Sequence, residues 1–351
     1  MLRKNNIRKI LTLFLLLPLL VTGNVFAQEL NVKELIFEHL GDSYSWHITQ
    51  WGEKEVSVPL PVIVKSKQGG WHLFLSHHLE HGAKYRGFHI AHDGEYAGKI
   101  VEQDITEEEI RPAVDLSITK NAVAIMISCL VLLLVIMPLA RWYNKENMQP
   151  AKGFKGAVEM LLTDIQEGVI KVCVGEDYRR FSPYLLTAFF FILINNLLGL
   201  LPFFPGGANV TGNIAVTLVL ALCTFFTVNV FGNKAYWKEI LWPDVPIWLK
   251  VPAPIMPVIE FFGIFTKPFA LTIRLFANIT AGHAVMMGLF CLIFITASMG
   301  AIINTGMSAV AIFFTCFMTF IELLVAYIQA YVFTLLSSVF IGMARAKHHK
   351  Q

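Results

Sequence analysis

Three stretches of this chain, residues 181–233, 275–321 and 323–344, contain no Asp, Glu, Lys or Arg. Each exceeds the roughly 20 apolar residues that cross a bilayer as a helix. A soluble core can conceal one such run, but hardly three. Composition agrees: 55% of the residues are hydrophobic and 15% are charged, against about 25% charged in an ordinary soluble domain. The net charge of +3 is too small to argue for a nucleic-acid partner. The sequence is that of an all-α membrane protein carrying a smaller polar region at its N-terminus.

The N-terminal segment has the pattern of a signal peptide. Arg3, Lys4, Arg8 and Lys9 precede the apolar run 10–21, and Val25-Phe26-Ala27 offers a cleavage site after Ala27. An uncleaved anchor is the alternative, because the next charge is Glu29. Residues 28–117 then form a polar, exported region, expected in the periplasm. Short alternating runs, Val56–Leu60 and Trp71–Leu75, read as strands. The region holds eight of the eleven histidines: His39, His47, His72, His77, His78, His81, His89 and His92. His77, His78 and His81 could put two imidazoles on one helical face, but no cysteine and no carboxylate pattern completes a metal site. No metal and no cofactor is expected. The five cysteines (Cys129, Cys173, Cys223, Cys291 and Cys316) are isolated and read as small apolar packing residues.

Residues 118–351 read as the membrane domain, with about five crossings. The first is 121–140, ending at the interfacial anchor Arg141-Trp142-Tyr143. An amphipathic helix near the membrane surface is expected over 154–174. The second and third crossings are about 184–204 and 209–231, joined by a turn at Pro205-Gly206-Gly207. Lysine and arginine concentrate in 141–180, after residue 233 and in the C-terminal tail. The positive-inside rule puts those segments in the cytoplasm and the Pro-Gly-Gly turn outside. A cell inner membrane is the expected location. The last two apolar segments, about 254–297 and 303–343, are too long to stand upright. A helix of 40 residues is about 60 Å long, twice the hydrocarbon thickness. These helices must tilt, break or lie partly in the membrane plane, with a hairpin turn near Ser298-Met299-Gly300.

Within them sit polar residues that hydrocarbon disfavours: Glu260, Lys267, Arg274, Asn278, His283, Glu322 and Gln329. An arginine at the centre of a membrane helix costs about 2.5–3.5 kcal/mol on insertion scales, so it is seldom kept without a partner or a task. Snorkelling to the interface is the structural alternative for Arg274. Arginine stays protonated, so Arg274 can attract a carboxylate but cannot relay its own proton. Arg274 and Asn278 share a helix face, as do Glu322 and Gln329. Arg274 to His283 is ~13 Å along a helix and Gln329 to Glu322 is ~10 Å. Antiparallel packing would therefore let Glu322 approach His283 while Gln329 approaches Arg274. Gln329 alone reads equally well as an interhelical hydrogen-bonding residue. Histidine titrates near neutrality, so a His–Glu pair at membrane depth suits a proton path. A permanent cation beside it would act as an electrostatic stop.

The run 268–283, PFALTIRLFANITAGH, resembles the signature of subunit a of F-type ATP synthases. The run 321–333, IELLVAYIQAYVF, is similar to that family's second signature, and 194–202, INNLLGLLP, to an earlier one. The likeness covers residue 118 to the end. It implies a non-catalytic, proton-translocating stator subunit of a rotary complex. Its partners would be the ring of c subunits, the b-subunit peripheral stalk and the rest of the F1F0 assembly, in a lipid membrane. Arg274 matches the arginine that faces the ring carboxylates and separates two half-channels. Asn278, His283, Glu322 and Asn196 match positions lining the outer half-channel. Glu260 matches the cytoplasmic exit side, and Gln329 the glutamine opposite the arginine. Many bacterial members carry Glu in place of His283 and His in place of Glu322. The exchange here, as in mitochondrial members, implies that the two residues touch and titrate as one unit. The signal peptide and residues 28–117 have no counterpart in the short members.

Two other readings account for buried charge. A self-contained proton-coupled secondary transporter would show repeated halves, and none is visible. An intramembrane enzyme would need a further ligand or nucleophile at depth, such as HExxH, and the sequence has none. It also has no phosphate-binding G-x-x-x-x-G-K-[ST] loop. Neither rival explains the long arginine-centred motif.

Overall fold

The structure is a computed structural model. It describes residues 41–51, 54–67, 69–91, 94–103, 109–144, 150–201, 206–241 and 255–346. The signal peptide expected over 1–27 lies outside the described residues, as do His39, His92 and the Pro205 end of the expected turn.

Residues 45–115 form short antiparallel strands in three small sheets. β1 (Ser45–Trp51) pairs with β2 (Lys54–Pro59) as a hairpin. β3 (Pro61–Lys65) lies between β4 (Trp71–Leu75) and β8 (Val114–Asp115). β5 (Phe88–Ile90), β6 (Ile100–Gln103) and β7 (Glu109–Ile110) make the third sheet. Both alternating runs noted in the sequence are strands. Alternation puts Val62, Val64 and Phe74 inward, where they pack with Tyr44, Leu79, Phe88 and Ile100. Tyr44 donates a hydrogen bond to Asp115 Oδ2 at 2.9 Å. Burial first, then the charge of Asp115, holds its phenol protonated well above the ordinary range. The histidines of this region whose side chains are described, His72, His77, His78 and His89, lie against other rings or a carboxylate. His77 and His78 lie in a 3₁₀ turn (Ser76–Gly82), and the His78 ring stacks on Tyr85 at 4.5 Å. His89 Nε2 meets Glu109 Oε1 at 2.9 Å. Among the described residues no three His, Cys, Asp or Glu side chains gather as a metal site.

Five helical segments are long and apolar enough to cross a membrane. α1 (Lys120–Asn144) is the first. The amphipathic stretch forms as α2 (Phe154–Thr163), a wider π turn (Asp164–Ile170) and α3 (Lys171–Val174). It continues through a 3₁₀ turn into α4 (Tyr178–Gly199). Ile165, Val169, Ile170 and Val174 are buried against α4, while Asp164, Glu167 and Lys171 are exposed. α5 (Ile214–Phe231) starts five residues later than expected, because Asn213 caps it: Asn213 Oδ1 accepts the Ala215 N–H at 3.0 Å. A short helix, α6 (Lys234–Leu241), follows, which apolar periodicity did not announce. α7 (Ile255–Thr296) and α8 (Ala301–Arg345) are unbroken over 42 and 45 residues. Breakage is therefore not how these lengths are accommodated, even at Pro268. The hairpin turn falls where expected: residues 297–299 form a 3₁₀ turn and Gly300 has φ 101°, open to glycine.

Small and hydroxylated residues let the helices approach. Ala330, Thr334, Ser337 and Ser338 are fully buried along α8. Tyr184 OH meets Thr224 Oγ1 at 2.8 Å, and Thr224 reaches Ser337 Oγ at 3.2 Å. At one end of the bundle, Arg345 joins three segments. Its Nε donates to Asp177 Oδ2 at 2.9 Å and its Nη1 to Asn233 Oδ1 at 2.9 Å, while Asn233 Nδ2 returns a bond to the Arg345 carbonyl at 2.8 Å. The segment before α4, the segment after α5 and the end of α8 thus meet at one end, as the charge distribution required.

A close approach to backbone falls at Gly342, where a Cβ would stand 2.0 Å from the Cys173 carbonyl oxygen. Backbone cannot yield there as a flexible side chain can. Gly342→Val should destabilise the protein by at least about 1–3 kcal/mol. A lowered Tm of the purified protein, or loss of folded yield, would register this.

Candidate ion-path site

The site residues sit on three helices: Asn196 on α4, Glu260, Arg274, Asn278 and His283 on α7, and Glu322 and Gln329 on α8. His283 and Glu322 meet: His283 Nδ1 lies 3.4 Å from Glu322 Oε1. Glu322 is 5% exposed, and among the described residues neither carboxylate oxygen finds a hydrogen bond of good geometry. The contact is thus an electrostatic approach with room for a proton to bind. Gly282 permits it, since a Cβ there would lie 3.0 Å from Glu322 Oε1.

Asn196 supports the pair from α4. It is 4% exposed; its Nδ2 donates to the Ala326 carbonyl at 3.1 Å and its Oδ1 accepts from Thr211 Oγ1 at 2.7 Å. Ala326 is one turn beyond Glu322 on α8. Gly199, one turn beyond Asn196, sits where a Cβ would be 3.5 Å from His283 Nε2. Asn196, His283 and Glu322 are therefore brought into one buried neighbourhood. Thr211, Gly199 and Gly282 belong to it as well, and sequence reading missed all three. Glycines and a loop threonine carry no signal until the helices that need them are in place.

Arg274 and Asn278 fall elsewhere. Leu271, Leu275 and Ile279 turn into the core, so Arg274 and Asn278 lie on the opposite, exposed face of α7 with Ala270, Ala277 and Ala281. Among the described residues Arg274 forms no ion pair. Gln329 is 7% exposed, with Ala330 and Phe333 of the core beside it. The expected antiparallel pairing thus appears at its His283–Glu322 end. No hydrogen bond joins Gln329 to Arg274, because one faces the bundle and the other faces out. Glu260 is half-buried near the start of α7. It is close enough to Tyr236 of α6 that, after burial, its charge is the second cause raising that phenol's pKa. Lys267 lies 5.6 Å from the Phe340 ring.

The fold and site define a polytopic helical membrane protein with an ionisable pair inside its bundle and an arginine on an outer face. Residues 122–342 match the family ATP synthase A chain, and residues 35–122 match a separate family, Domain of unknown function (DUF8433). ATP synthase subunit a of Chloroherpeton thalassium is 42% identical over 241 residues, covering 66% of this chain and 68% of that protein. ATP synthase subunit a of Pelodictyon phaeoclathratiforme is 40% identical over 279 residues, covering 73% and 78%. The chain belongs to the ATP synthase A chain family.

Asn196→Leu should leave the buried Thr211 hydroxyl without its acceptor, at about 1–3 kcal/mol. Thermal unfolding of the solubilised protein should show the loss.

Proposed function

We propose that this chain is the ion-path subunit in the stator of a rotary F-type ATP synthase. Two half-channels carry protons to and from the carboxylates of a c-subunit ring and couple their flow to rotation. The observation that carries the reading is the division of polar residues between two surfaces. His283 and Glu322 face each other inside the bundle, whereas Arg274 has no ion partner among the described residues and lies on an exposed face. A cation held at membrane depth without a partner in its own chain is poised for one on another chain.

In this reading a proton enters from the periplasm past Asn196, Asn278 and the His283–Glu322 pair and reaches a ring carboxylate. The neutralised carboxyl then enters lipid, which an ionised one could do only at high cost. After nearly a full turn it releases its proton on the cytoplasmic side, near Glu260, and returns to Arg274. The fixed charge keeps the returning carboxyl ionised and blocks direct leakage between the half-channels. Gln329 stands opposite on α8 as a neutral neighbour of the path. The small residues Ala270, Ala277 and Ala281 leave the Arg274 face shallow enough for a passing helix.

The subunit performs no bond chemistry; nucleotide work belongs to other parts of the F1F0 assembly, and the b-subunit stalk holds it against torque. It sits in the cell inner membrane, with 1–27 as signal peptide, 28–117 as the periplasmic extension and the C-terminus of the 118–351 membrane domain in the cytoplasm. The Arg345–Asp177–Asn233 knot supports this arrangement, since it gathers the segments that the positive-inside rule assigns to one side.

In inverted vesicles, Arg274→Ala should abolish ATP-driven acidification and raise passive proton leak, with ring and catalytic head still co-purifying. Normal coupled pumping would remove Arg274 from the mechanism. For the pair, His283→Glu and Glu322→His should each lower pumping at least about tenfold. The double exchange should recover most of it, because both groups remain in contact with roles reversed. Additive losses in the double variant would mean that the two residues act independently.

A further inference from the structure

In the described part of the loop between α4 and α5, Gly206, Ala208, Asn209, Val210 and Thr211 are buried. Connecting segments usually run over the surface, where water satisfies their backbone. Here the cover comes from the sheet region. Trp46 of β1 is 3% exposed and packs in one cluster with Ala124 of α1 and with Ala208 and Val210 of the loop. Val58 of β2 and Val216 of α5 close the edges of that cluster. The same region is bonded to the membrane helix. Asp42 Oδ1 accepts the Asn121 N–H at 3.1 Å, and the Ser43 carbonyl accepts the Lys120 N–H at 2.8 Å. The hairpin is therefore a fixed part of the bundle's outer end.

From Trp46 a chain of direct contacts runs inward. Val210 is followed by Thr211, whose hydroxyl donates to Asn196 at 2.7 Å, and Asn196 donates to the Ala326 carbonyl one turn from Glu322. The loop's own bonds hold its two ends: the Gly207 N–H donates to the Leu198 carbonyl at 3.3 Å, and the Asn213 N–H to the Val210 carbonyl at 3.1 Å. Asn209 Nδ2 is buried and finds no hydrogen-bond partner among the described residues. A buried indole supplies a large apolar contact in such a place.

We propose that the N-terminal sheet region is a positioning element for proton entry: Trp46 clamps the 206–213 loop and so holds Thr211 on Asn196 at the outer side of the Glu322–His283 pair. This gives the segment matching the domain of unknown function a task in transport. The inference rests on the reading of Glu322 and His283 as the entry-side pair. Trp46 is a positioning residue, since it acts through Val210 and Thr211.

The test uses the whole ATP synthase in proteoliposomes and measures synthesis against the proton concentration on the side of the extension. Trp46→Ala and Thr211→Val should each raise the proton concentration for half-maximal synthesis about threefold or more, with a smaller change in maximal rate. Trp46→Phe should restore the wild-type value. If Trp46→Ala fails to assemble, Thr211→Val decides, because it keeps the side-chain shape and removes only the hydroxyl. Unchanged proton dependence in the assembled variants, while Glu322→Gln abolishes transport, would overturn this inference alone. Full transport in Glu322→Gln would overturn the reading of the pair on which it rests.

Discussion

The rest of this structure depends on the cost of a polar group without a partner in an apolar medium. Every helix that crosses hydrocarbon must satisfy its own backbone, which makes unbroken helices such as α7 and α8 the default. Polar side chains then have to be resolved one by one. Asn196 finds a carbonyl and a hydroxyl, and Arg345 finds Asp177 and Asn233. Thr224 is shared between Tyr184 and Ser337. Some groups fall outside that pattern, Asn195 Oδ1, Asn209 Nδ2 and Thr280 Oγ1 among them, and two of those outside it, Glu322 and Arg274, carry the ionisable chemistry. One is buried with only His283 near its carboxylate, and the other faces outward without an ion partner among the described residues.

In the proposed function, an outward-facing Arg274 and a weakly bonded Glu322 are what a subunit working against a moving partner requires. A site that satisfied Arg274 within the chain would hold it too firmly to release a ring carboxylate. A Glu322 locked in strong hydrogen bonds would favour one protonation state over the other. Packing leaves both groups poised: Gly282 clears space beside Glu322, and the small residues Ala270, Ala277 and Ala281 share the exposed face of Arg274. The glycine adds little apolar contact of its own, so stability is drawn from the core formed by Phe189, Leu271, Leu275, Phe333 and their neighbours.

Much of the architecture was legible because membrane helices announce themselves by length and by the absence of charge. The five long segments, the Gly300 turn and the strands at Val56 and Trp71 all follow from local pattern. Helix starts were less legible. α5 begins at Ile214 because Asn213 caps it, a side-chain choice that hydropathy cannot see. α6 was missed because eight residues with two lysines and a glutamate carry too weak a stripe. The run from α2 to α4 reads as two elements in hydropathy, yet it is nearly continuous helix, with the π turn at Asp164–Ile170 absorbing the change of buried face.

The sequence alone determined which residues are expensive at membrane depth: Arg274, His283, Glu322 and Gln329 are visible as exceptions in apolar runs, and their spacing put them on shared faces. Only tertiary structure decided which exceptions meet. It joined His283 to Glu322, set Gln329 inward and Arg274 outward, and brought Trp46, some 150 residues away in sequence, over the loop that supports Asn196. The physical reason is that helical periodicity fixes direction within one helix, whereas the rotation of one helix against another is set by packing. That packing depends on residues such as Gly282 and Gly342, whose role lies in what they leave empty.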